Sequence, residues 1–151
     1  MPQLLVTAFL SSTFAATAAA ALSSEEQEAW AGEEAYWTHE ANREVDGFIT
    51  LGDERFIGSP CGAPGTEKFD QLRPAVKAWF ENIAAYGNDT TIDPQGVIVE
   101  EHFAVTDLAA TTTSSTDFAH PRVRAVKIPR TWRRAGDGSK ITGGMCGALA
   151  P

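Results

Sequence analysis

Basic residues are the scarcer charge in this 151-residue chain, with twelve Lys and Arg against twenty Asp and Glu and a net charge of −8. A protein held on nucleic acid through phosphate contacts needs the opposite balance, so that class of partner is excluded. Cysteine is nearly absent as well. Cys61 and Cys146 form no C-x-x-C pair, which removes support for a zinc or dithiol redox site. His39, His102 and His120 have no carboxylates at ligand spacing, so no metal is expected. There is no G-x-S-x-G elbow, no phosphate-cradling glycine loop and no dinucleotide fingerprint, and therefore no cofactor is expected. Nothing repeats at a period of about 20 to 50 residues, which excludes a solenoid. No stretch holds the ~20 strongly apolar residues of a membrane span.

What the chain does have is enough apolar content, 43% against 21% charged, to bury a core. Its length is that of one ordinary domain. The charge is unevenly spread: residues 1 to 60 carry two bases and ten acids, residues 61 to 117 three and nine, and residues 118 to 151 seven and one. Met1 to Leu22 contains no charged side chain and runs from Leu4-Leu5-Val6 into Ala15 to Ala21. It reads as a signal peptide cleaved after Ala20 or Ala21, with a secreted or periplasmic mature chain; the competing reading is a plain Ala/Ser/Thr extension. In an exported chain the two cysteines allow one disulfide, and two small buried thiols fit equally well. Asn88-Asp89-Thr90 matches a glycosylation sequon, which matters only in a eukaryotic secretory host.

Ser23-Ser24-Glu25-Glu26-Gln27 predicts a helix start, with Ser24 as cap and Gln27 as its capping-box partner, and the helix should run to about Glu44. Ala29, Trp30, Tyr36, Trp37 and Ala41 form its aromatic stripe, and Glu33 falls inside that stripe, either snorkelling at the edge or facing the interior. Asp46-Gly47 is expected to break the helix before a short turn at Phe48 to Leu51, and Arg55 to Gly58 reads as a strand. A second amphipathic helix places Phe69, Leu72, Val76, Trp79, Phe80 and Ile83 at threes and fours, with Pro74 tolerable in the first turn. The remainder is β-like: Val97 to Val99, Phe103 to Thr112, Arg122 to Arg134 and Lys140 to Cys146, with Asp137-Gly138 the strongest hairpin signal. Helices followed by a meander predict an α+β domain, with helices on one face of an antiparallel sheet.

Glu33-Glu34-Ala35-Tyr36-Trp37, Asp46-Gly47-Phe48, Phe56-Ile57-Gly58-Ser59-Pro60, the helix around Val76 to Phe80, and Thr131-Trp132-Arg133-Arg134 before Asp137-Gly138 occur in a familiar order. Over roughly Glu25 to Gly147 the chain resembles the nuclear transport factor 2-like superfamily, in its SnoaL-like and ketosteroid-isomerase-like branch. The resemblance implies residues 23 to 151 as one cone domain, a curved antiparallel sheet closed by N-terminal helices around an apolar pocket. Ketosteroid isomerase pairs a carboxylate base with an oxyanion hole of a Tyr and a protonated Asp. The resemblance puts the oxyanion Tyr at Tyr36, the base position at Ser59 and the second oxyanion position at Arg130. A serine hydroxyl cannot abstract a carbon-bound proton unaided, so steroid isomerisation is not expected.

The same resemblance selects Val126, Ile128, Arg130 and Trp132 as the pocket-facing side of their strand. A guanidinium in such a pocket needs a partner, which Glu33, Glu40 or a ligand carboxylate could each supply, unless the register slips and Arg130 is solvated. Three functions follow from this. The first is a pocket protein binding a small hydrophobic or weakly acidic molecule through Trp37, Ser59, Trp79, Val126, Ile128, Arg130 and Trp132. The second is a cofactor-independent isomerase, cyclase or dehydratase in which Glu33 or His39 moves protons and Tyr36 donates to an oxyanion. The third is a homodimeric scaffold with a vestigial pocket. Gly143-Gly144 is expected to let a backbone or a ligand approach closely.

Overall fold

Helix α1 spans Ser24–Asn42, and its N-cap is Ser23, one residue before the expected Ser24. The Ser23 hydroxyl accepts the Glu26 N–H at 3.2 Å, and the Glu26 carboxylate accepts the Ser23 N–H at 2.7 Å. A charged carboxylate is the stronger acceptor, so Glu26 rather than Gln27 completes the capping box. Gln27 instead donates to the Leu22 carbonyl at 2.8 Å. The helix ends at Arg43, which turns into the left-handed region at φ 58°. Asp46-Gly47 therefore does not terminate it but lies inside a second helix, α2, over Val45–Thr50. Gly47 serves close helix contact, because a Cβ there would sit 2.5 Å from the His39 ring.

Strand β1 (Gly52–Ser59) and the two-residue β2 (Glu67–Lys68) lead into helix α3, Phe69–Tyr86. Leu72, Val76 and Phe80 recur every fourth residue and are its buried stripe. Pro74 lies past the first turn, contrary to expectation, and costs the helix one backbone bond. β3 (Asn88–Val99), β4 (Phe103–Ser114), β5 (Arg122–Ala135), β6 (Gly138–Met145) and β7 (Gly147–Ala148) complete the chain. The structure, a computed structural model, describes residues 22–59, 65–86, 88–114, 122–136 and 138–149. Residues 1–21, which hold nearly all of the expected signal peptide, lie outside those residues, as do Cys61, His120 and Asp137.

The strands form one sheet in the order β2-β1-β6-β5-β4-β3, with β7 paired to β5. It is mixed, because β1 runs parallel to β6 while the other pairings are antiparallel. A parallel pair needs a long crossover, and α3 with β3 to β5 supplies it. Gly143 belongs to this pairing: a Cβ there would lie 2.8 Å from the Ile57 carbonyl oxygen, so the close approach is by backbone. β3 begins far ahead of Val97. It is an edge strand, where Thr90, Thr91 and Asp93 can stay polar, and Pro94 sits at a register shift where no ladder donor is required. Shifts between Gly52 and Ile57 and between Thr131 and Trp132 add to the curvature of an open sheet.

The concave face of that sheet carries the core. Along β5, Val126, Ile128, Arg130 and Trp132 are 5%, 8%, 5% and 0% exposed, so the register is the expected one and Arg130 is inside. Lys127, between them, faces out and pairs with Asp107 at 2.9 Å. Leu108 and Ala110 of β4 meet Val126 and Ile128 in one cluster; Ala29, Ala104, Trp132 and Ile141 form another beneath α1. Cys146 is disulfide-bonded. Among the described residues no helix is long and apolar enough to cross a membrane.

Candidate active-site cavity

Between the three helices and the concave sheet lies a cavity of about 570 Å³. Its walls follow from the helical and strand periods already described. α1 contributes Tyr36, Trp37 and Glu40; α2 contributes Phe48; α3 contributes Leu72, Val76 and Trp79. From the sheet come Val126, Ile128 and Arg130 of β5, and Ser59 at the end of β1. The aromatic wall is continuous: ring centroids are 4.5 Å apart for Tyr36 and Phe48, and 5.7 Å apart for Phe48 and Trp79, in tilted and edge-on arrangements.

Arg130 is the polar floor of this cavity. Its Nη1 donates to Glu33 Oε2, and its guanidinium carbon lies 3.6 Å from the Tyr36 ring centroid and 5.1 Å from that of Trp37. Burial works against the charge, but Tyr36, Glu33 and Glu40 outweigh it and hold the guanidinium above its ordinary pKa. Glu33 is only 2% exposed and does not snorkel. Its Oε1 accepts from Thr106 Oγ1 and, at 3.0 Å, from Trp132 Nε1. Both carboxylate oxygens are thus occupied on the side of Arg130 away from the cavity, which Glu33 and Trp132 do not line.

The remaining polar groups behave differently. Burial pushes the Tyr36 hydroxyl up to about 12, with Glu40 and Glu33 adding to the rise and Arg130 partly offsetting it, so the phenol stays a neutral donor. Glu40 lies one turn after Tyr36 and lines the cavity. Burial pushes its carboxyl up to about 7, with Arg130 partly offsetting the rise. Glu40 Oε2 and Trp37 Nε1 are buried with no hydrogen-bond partner among the described residues. Because Glu33 already occupies Arg130, Glu40 is left as a second carboxyl in the same desolvated corner.

The structure therefore brings together Tyr36, Trp37, Ser59, Trp79, Val126, Ile128 and Arg130, and leaves three predicted residues elsewhere. Glu33 and Trp132 form the support beneath Arg130. His39 turns away, its Nδ1 2.7 Å from Glu44 Oε2, and does not reach the cavity. His102 is exposed in the β3–β4 turn. In the sequence Glu40 is only one possible partner of Arg130, although its helical spacing from Tyr36 and Glu33 signals the shared face. Thr106 carries no signal beyond strand alternation, and Phe48 stands out only within the expected turn and the Asp46-Gly47-Phe48 motif. A smaller hollow of about 360 Å³ lies across α1, between Trp30 and Trp37 and the β3–β4 residues Ile92, Pro94 and Leu108. Among the described residues no cluster of side chains has the make-up of a metal site.

No family model matches the chain, and no curated protein matches it. Solved structures do. A ketosteroid isomerase-like protein from Erwinia carotovora atroseptica shares 16% identity at a TM-score of 0.72, covering 86% of this chain and 100% of its own. A proposed dehydratase from the NTF2-like family of Streptomyces avermitilis shares 12% at 0.70, covering 84% and 98%. The CaMKII hub of S. rosetta shares 17% at 0.70, covering 82% and 95%. At such identities the likeness is one of fold: this chain has the NTF2-like cone fold, a scaffold that those relatives use for isomerase-like, dehydratase-like and hub-like proteins.

Proposed function

We propose that this protein is a small-molecule pocket protein that binds a hydrophobic or weakly acidic metabolite in the cavity over Arg130. The observation that carries the reading is a buried, ion-paired guanidinium at the floor of an aromatic-walled hollow of about 570 Å³, within the ordinary size range of ligand sites. Apolar walls supply affinity, and the fork of Arg130 with the Tyr36 hydroxyl supplies orientation for one or two ligand oxygens. A disulfide-bonded Cys146 supports an exported setting, as the leader suggests. Quenching of tryptophan fluorescence by aromatic carboxylic acids and by their neutral amides tests the reading, since Trp37 and Trp79 line the cavity. Both series should quench saturably. The paired replacement E33L with R130M, which leaves no buried charge unpaired, should weaken the acids far more than the amides. Equal weakening of both removes Arg130 as the anchor, and no saturable quenching removes the pocket itself.

The enzymatic reading is favoured by one specific feature, the neutral Tyr36 donor placed beside a Glu40 carboxyl whose pKa is raised to about 7. A carboxyl poised near neutrality is suited to general acid–base work in cofactor-independent isomerisation, cyclisation or dehydration. Glu40 then takes the proton-moving role in place of Glu33 and His39, because it is the one of the three that lines the cavity.

A further inference from the structure

Arg130 carries one positive charge in this corner, and Glu33 matches it through a direct ion pair. An ionised Glu40 would leave the corner one charge negative, and an anionic ligand on Arg130 would make it two. Desolvated interiors resist such an excess, and the simplest relief is a proton. Protonated Glu40 is uncharged and gains a donor, which its unpartnered buried Oε2 does not have in the ionised form.

We propose that Glu40 couples anion binding to proton uptake: the cavity takes a hydrophobic monoanion, its head group on Arg130 and Tyr36, together with one proton on Glu40. This rests on the pocket reading and assigns the ligand class, an apolar body bearing one carboxylate-, sulfonate- or enolate-type charge. The proton comes from solvent and forms an O–H bond on Glu40, so ligand and proton enter as a neutral sum and no other bond changes. The raised pKa of Glu40, about 7, makes that proton available near neutrality. Among the described residues, the other charged or titratable groups on the cavity wall are Tyr36, Arg124, Arg130 and Glu67. Tyr36 holds its proton up to about 12 and Arg130 keeps its charge. α2 and α3 contribute Phe48, Trp79 and Asn82, which do not titrate, and Cys146 is disulfide-bonded.

Two dyes with one ring system separate the possibilities: 8-anilinonaphthalene-1-sulfonate, anionic throughout pH 5.5 to 8.5, and neutral N-phenyl-1-naphthylamine. Binding is followed by fluorescence, and by calorimetry in buffers of different ionisation enthalpy. The dissociation constant of the sulfonate should rise roughly 20-fold from pH 6.5 to 8.5, because the competent protein is the protonated fraction. About one proton should be taken up per sulfonate bound at pH 8.5, while the neutral dye changes less than about twofold. E40Q should bind the sulfonate as tightly at pH 8.5 as at pH 6.5, and E67Q should keep the wild-type slope. E40Q is near-isosteric, and a melting temperature at pH 8.5 no lower than wild type verifies its fold. A flat sulfonate profile in the wild type, or a slope that persists in E40Q, overturns the proposal while neutral-dye binding leaves the pocket reading standing. If neither dye binds, the pocket reading fails and the proton coupling fails with it.

Discussion

Replacing Glu33 by leucine removes the partner of a guanidinium that is 5% exposed and packed against Tyr36, so the cost should far exceed that of a typical surface change. Breaking a buried pair from one side costs about 3–5 kcal/mol, because the surviving charge keeps its desolvation penalty. Thr106 Oγ1 also loses its acceptor, worth about 1 kcal/mol. Trp132 Nε1 adds nothing further, since Thr106 Oγ1 remains 3.1 Å away. Two effects reduce the total: water in the cavity can reach the exposed side of Arg130, and Glu40 is free to ionise as a substitute partner. The net expectation is a loss of about 3 kcal/mol for E33L. R130M, which strands Glu33 instead, should lose a similar amount. The double variant should lie within about 1 kcal/mol of the parent, giving a coupling of at least 2 kcal/mol in the cycle. Urea unfolding followed by far-ultraviolet circular dichroism measures all four proteins without relying on tryptophans near the site. A loss below about 1 kcal/mol for E33L, or simple additivity in the double variant, would refute the claim that this pair is desolvated and mutually dependent.

Asp53 should control the acid limb of stability. Burial opposes its charge, but the Arg55 N–H at 2.9 Å and the Arg133 and Arg55 side chains outweigh burial and hold the carboxyl at about 2, below the ordinary 3.8. A lowered folded pKa contributes stability that is present above about pH 4 and lost as pH falls through about 2, here on the order of 1–2 kcal/mol because half-buried Arg133 is open to solvent. D53N should flatten the unfolding free energy between pH 2 and 4; an unchanged acid limb would count against this. Gly32→Ala sets two opposed effects against each other. Alanine favours helix α1 by about 1 kcal/mol, but its Cβ would meet the fully buried Trp132 ring at 2.8 Å, and overpacking costs about 1–3 kcal/mol. Net destabilisation is expected in the same urea assay, and a stabilised variant would mean that the indole has room to move.

The sequence alone was enough for the elements whose cause is local or periodic. Leu72, Val76 and Phe80 mark one face of α3 at a spacing no strand would use, whereas alternation alone left both faces of β5 open and only the family resemblance favoured the one shared by Val126, Ile128, Arg130 and Trp132. The polar half of β3 carries no strand signature because an edge strand needs little apolar content, and Pro94 reads as a break unless the bulge that accommodates it is known. The cap moved by one residue, from Ser24 to Ser23, since two adjacent serines offer the same chemistry and only the carboxylate three positions on distinguishes them.

Local pattern, then, determined the α+β composition and the order of helices before strands, because those depend on neighbours a few residues apart. Tertiary structure decided the rest. Whether Glu33 or Glu40 would pair with Arg130 was open in the sequence, as both lie on one helix face and their partner is about a hundred positions away. Folding resolved it by placing Thr106 and Trp132 beside Glu33, so that three donors from two strands converge on one carboxylate. That convergence leaves the buried Oε2 of Glu40 without a hydrogen-bond partner among the described residues. The protonation of a carboxyl depends on what surrounds it in space, and no spacing along a chain encodes that.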